Sequence, residues 1–75
     1  MIDKEPIYSA DVIRLMDMDR EMITAKDIAK IVRMHPSVIN HYAKTGQWNL
    51  GRYIISGSHV KFFRIDFLRA GGWIQ

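Results

Sequence analysis

Four hydrogen-bonding side chains, Ser37, Asn40, His41 and Lys44, recur at i, i+3, i+4 and i+7, the spacing that puts them on one stripe of an α-helix. Together they offer hydroxyl, amide, imidazole and ammonium groups, a mixture of donors and acceptors with a fixed positive charge. Such a stripe suits a groove. A second polar set, Arg52, Ser58, His59 and Lys61, gathers around the Ser-Gly-Ser-His segment at 56–59. His35, His41 and His59 do not read as a metal site, because no two have the i, i+3 or i, i+4 helical spacing and the chain has no cysteine to assist. Catalysis is not expected either. The serines lack a nucleophile elbow, and the carboxylates concentrate near the start rather than pairing across a cleft. The expectation is a protein without enzymatic activity, metal, cofactor or small-molecule ligand.

Charge is divided along the chain. Residues 1–22 hold Lys4, Arg14 and Arg20 against Asp3, Glu5, Asp11, Asp17, Asp19 and Glu21, a net −3, whereas residues 23–75 hold eight basic groups against Asp27 and Asp66, a net +6. A basic body behind an acidic leader points to a polyanionic partner for the body, the plainer alternative being an ordinary solvated surface. With 75 residues there is room for one folded unit, which buries only roughly 60% of the surface its unfolded chain exposes. The 48% apolar content and two prolines suit a globular domain rather than a disordered tail. The lack of cysteine removes disulfides and thiolate chemistry and suits a reducing compartment. No apolar run approaches the roughly 18 to 20 residues of a membrane span, and Met-Ile-Asp-Lys-Glu-Pro does not begin like a signal peptide. A cytoplasmic location away from membranes is expected.

The elements that must position these groups follow from local signals. Ser9 can cap a first helix over roughly residues 9 to 18, with Val12, Ile13, Leu15 and Met16 at helical spacing. After a charged connector, Thr24 and Asp27 approximate a capping box for a second helix ending near Arg33. Its apolar face is Ile28, Ile31 and Val32, its exposed face Lys26 and Lys30, and Ala29 supplies a small surface for a helix crossing. Pro36 starts a third helix that runs to about Thr45, with Gly46 as a left-handed terminator. Arg-Tyr-Ile-Ile and Val-Lys-Phe-Phe flank the turn of a β-hairpin, whose central pair is either Ser56-Gly57 or Gly57-Ser58. Asp66 can cap a short last helix ending at Gly71-Gly72. The aromatics Trp48, Tyr53, Phe62, Phe63, Phe67 and Trp73 suit core packing better than a base-stacking platform. The expected fold is mainly α with a small β-hairpin.

From Ile23 to Gly46, through Trp48, the Tyr53 to Phe63 hairpin and Arg64-Ile-Asp-Phe-Leu68, the chain resembles the excisionase-like and MerR-like winged helix-turn-helix family. The resemblance covers about two thirds of the chain. It divides the chain into an acidic leader with an extra N-terminal helix, residues 1–22, and a winged domain, residues 23–75. One departure is Arg33, where the family's turn commonly has glycine; a left-handed arginine costs on the order of 1 kcal/mol, so a reshaped turn is expected there.

What the resemblance implies is a module that binds double-stranded DNA and assists site-specific recombination of a phage or mobile element, or regulates transcription. On that reading His35, Ser37, Asn40, His41 and Lys44 belong to the recognition helix, with Asn40 making a bidentate contact to adenine. Arg52, Ser58, His59, Lys61 and Arg64, in the wing and its flanks, meet the backbone or adjacent minor groove. For Arg52, Ser58, His59 and Lys61, ordinary protection of an edge strand is the alternative. An integrase or recombinase and further copies of the chain are the other partners implied. A third possibility is a protein-interaction adaptor using the first helix.

Overall fold

The computed structural model describes residues 9–75, so the first eight residues of the acidic leader lie outside it. Ser9 sits in extended geometry and its Oγ accepts from the Val12 amide at 3.2 Å, which starts α1 (Ala10–Asp17) where the sequence predicts. The charged connector leads into a two-residue strand, β1 (Met22–Ile23), which sequence periodicity did not predict. Asp27 then accepts from both the amide and the hydroxyl of Thr24, at 3.0 and 3.2 Å, opening α2 (Ala25–Val32).

Arg33 ends α2 at φ 59° and ψ 44°, so the expectation of a reshaped turn is corrected. The left-handed turn is retained with arginine in it, held by the Arg33 and Met34 amides donating to the Ala29 carbonyl at 2.8 and 3.3 Å. Three residues after Arg33 α3 begins, spanning Pro36–Lys44, with Thr45 at its end and Gly46 at φ 75°.

The hairpin is β2 (Tyr53–Ser56) and β3 (His59–Phe63). Ser56 pairs with His59, which makes Gly57-Ser58 the central pair, and Gly57 takes φ 62°. A positive φ at the first central residue alone is the type II′ pattern, whose twist matches the flanking strands. On its other side β3 pairs with β1, giving an antiparallel three-stranded sheet in the order β1-β3-β2. α4 (Arg64–Ala70) follows β3 directly, with Phe63 at the N-cap position. Asp66 therefore lies inside the first turn and is not the cap that the sequence suggested.

One core joins all of these elements. Ile28, Ile39, Phe62, Phe67 and Leu68 are fully buried, and Val12 and Leu15 of α1 belong to the same cluster. Trp48 meets Phe62 edge-on at 5.3 Å and stacks near Phe67 at 6.3 Å, with its indole N–H donating to the Leu50 carbonyl. Aromatic burial of this kind lets so short a chain close a core. Among the described residues the architecture is four helices and a small antiparallel sheet, mainly α, and no helix is long and apolar enough to cross a membrane.

Candidate nucleic-acid interface

α3 is oriented by Ile39 and Ala43, which face the core. The opposite side then presents Ser37, Val38, His41 and Lys44 to solvent. Asn40 departs from the expected exposed stripe. It is half-buried, and its Oδ1 has no access to water and no hydrogen-bond partner. A two-point contact to a base would require that amide to turn, since one of its two hydrogen-bonding atoms is directed inward.

His35 and Ser37 are engaged with each other. The Nδ1 of His35 accepts from the Ser37 amide at 3.1 Å and lies 2.8 Å from the Ser37 hydroxyl, so the imidazole acts as the N-cap of α3. An accepting Nδ1 puts the proton of the neutral ring on Nε2 and leaves that N–H as its remaining donor. Pro36 at the first helical position makes no demand for a cap of its own, because it has no N–H.

Beside this helix the hairpin tip closes a groove of about 270 Å³, lined by Thr24, Ala25 and Lys26 from the start of α2, Pro36 and Asn40 from α3, and Ser58, His59 and Val60. The tertiary structure thus brings Asn40, Ser58 and His59 together although they lie far apart in the chain. The tertiary structure also adds Lys26 to this groove, and α3 exposes Val38 outside it; neither was singled out as a site residue. The only sequence signal for Lys26 was its place on the polar face of the second helix; for Val38 there was none, since a lone valine on a helix reads as core.

Lys61 is exposed and alternates with Val60 and Phe62, which are buried, so it leaves β3 on the opposite face from them. β3 is the middle strand in the sheet order, but β1 pairs only with Phe62 and Phe63, so the side of β3 away from β2 is open at Lys61 and the edge-protection account of that lysine stands beside the contact one. The edge strand β2 carries no charge, and its Ile54 and Ile55 are exposed.

Two expected site residues make contacts within the fold. Arg52 donates from Nε and Nη2 to the Asp66 carboxylate at 2.5 and 3.4 Å, with its guanidinium 4.6 Å above the Phe63 ring. This hydrogen bond holds the Asp66 carboxyl below its ordinary range and raises the Arg52 pKa in turn. Arg64 donates to the carbonyls of Arg20, Leu15 and Met16 at 2.7, 3.0 and 3.3 Å. Its guanidinium closes the C-terminal end of α1.

No protein-family model, curated protein or solved structure matches this chain. What fold and site define is a small mainly α protein whose third helix and hairpin tip flank one groove, with lysine, histidine and serine at its margins. Among the described residues, no group of His, Cys, Asp or Glu side chains is placed to hold a metal ion.

Proposed function

We propose that this protein binds double-stranded DNA as a winged helix-turn-helix module, with α2 and α3 as the helix pair and the β2–β3 hairpin as the wing. The observation that carries the reading is the groove where the N-terminal half of α3 and the hairpin tip converge, with Lys26 at its edge. A major groove about 12 Å wide admits one α-helix, and a projecting hairpin beside that helix then meets the flanking backbone. Ser37 and His41 are assigned to base edges, and Lys44, Lys26 and Lys61 to phosphates. Ser58 and His59 are placed at the wing contact. Asn40 joins the base readers once its amide has turned toward a donor supplied by DNA.

The resemblance adds a role: an accessory factor of the excisionase type in site-specific recombination, a small transcriptional regulator being the other use of the same contacts. The adaptor reading is weaker. Val12 and Leu15, half of its apolar face, are buried within the chain itself, and Ile13, at 48%, is the one exposed residue of the four.

The test is duplex binding followed across salt concentrations, on sequences selected from random DNA. Affinity is expected to fall linearly in log–log form, with a slope of about −0.9 for every phosphate neutralised. Absence of duplex binding at low salt would end the proposal. Isotherms on single and tandem sites, with a circular-permutation mobility assay, separate the two roles: cooperative, bent complexes favour recombination, and independent, straight ones favour an operator-binding regulator.

A further inference from the structure

We infer that Val38 reads the 5-methyl group of a thymine in the major groove. This rests on the DNA-binding reading of α3 and assigns a residue that the hydrogen-bonding stripe does not include. Val38 is 39% exposed, while the buried face of α3 is supplied by Ile39 and Ala43. It lies beside Ser37, one turn before His41 and two before Thr45, all exposed, so it is the apolar member of an otherwise polar surface.

Local propensity does not account for a valine there. The third position of a helix favours an acidic or hydrogen-bonding side chain that serves the free amides, and β-branched residues lose rotamer freedom in helices. The other large exposed apolar residues, Ile13, Ile54, Ile55 and Ile65, lie on α1, β2 and α4. Val38 is thus the one placed on the helix assigned to the groove.

The floor of the major groove offers hydrogen-bond donors and acceptors at every base pair and one apolar group, the thymine methyl. A valine within a row of serine, histidine and lysine matches that pattern. Its neighbours take the hydrogen bonds while its own methyls cover the thymine methyl and shed water together with it.

The probe is a duplex enriched from random DNA by the wild-type protein, in which each thymine is replaced in turn by deoxyuridine. That replacement removes the methyl and leaves every hydrogen-bonding group. At one or two positions the wild type is expected to lose about fourfold in affinity, the equivalent of one methyl group buried. Val38→Ala is expected to bind the thymine and uracil forms of those positions equally well and to melt with the wild type. Val38→Thr, which keeps the branching and exchanges one methyl for a hydroxyl, should discriminate less than valine. If no thymine responds in the wild type, or if Val38→Ala responds as strongly as the wild type, the assignment of Val38 is overturned while DNA binding stands. A protein that binds no duplex overturns both.

Discussion

Arg64 reaches back forty-nine residues to the carbonyl of Leu15, 3.0 Å from its Nη1. The same guanidinium takes the carbonyls of Met16 and Arg20, and the Arg64 amide donates to Glu21 at 2.9 Å. The last carbonyls of a helix have no partners within it, and a cation placed there also opposes the negative end of the helix dipole. One side chain at the start of α4 therefore holds α1 against the rest of the fold.

Arg64→Ala should lower stability by about 1.5 to 3 kcal/mol, the range for hydrogen bonds made by a charged group. Arg64→Lys should recover little of it, because an ammonium lacks the planar fork that spans three carbonyls. Chemical denaturation of the three proteins checks this, with hydrogen exchange of the α1 amides as the local readout. Wild-type protection of α1 in Arg64→Ala would contradict the assignment.

Ile39 and Asn40 are neighbours with opposite expected responses. Ile39→Ala empties part of the core and should cost about 2 to 5 kcal/mol. Asn40→Ala removes a buried oxygen that has no partner, so the free protein should melt no lower than wild type, because an unsatisfied acceptor itself costs about 1 to 3 kcal/mol. On selected duplexes Asn40→Ala should relax base preference by about 1 to 3 kcal/mol. A large stability loss in Asn40→Ala would show that its amide is satisfied after all.

Arg33 occupies a left-handed conformation, with φ 59°. Replacing it by glycine removes a steric cost of about 1 to 2 kcal/mol, partly offset by the greater freedom of glycine in the unfolded chain. Arg33→Gly should raise the melting temperature. A fall would mean that the arginine side chain makes a stabilising contact which outweighs the backbone cost.

The Arg52–Asp66 pair predicts an acid response. Because the folded Asp66 carboxyl titrates below its ordinary value of 3.8, its stabilising contribution is present above that value and is lost as pH falls through the lower folded value. Asp66→Asn should thus melt below wild type at neutral pH, by the small margin of an exposed pair, and the two curves should converge in acid. A difference that stays constant across the acid range would remove the ion pair as its cause.

Local chemistry made much of this molecule legible in its sequence. The caps at Ser9 and Thr24, the helix start at Pro36, the stop at Gly46 and the hairpin around Gly57 are each set by hydrogen bonds or steric limits that act within a few residues. Interactions across the chain left no such trace. A two-residue strand such as β1 has too few positions to show a period, and it exists because β3 offers it an edge. Arg52 and Arg64 look alike as free cations in the sequence until folding brings a carboxylate to one and three carbonyls to the other. The half-burial of Asn40 and the outward turn of Val38 were likewise decided by tertiary packing. Helical spacing places residues on relative faces, but which face meets the core depends on the elements that cover it.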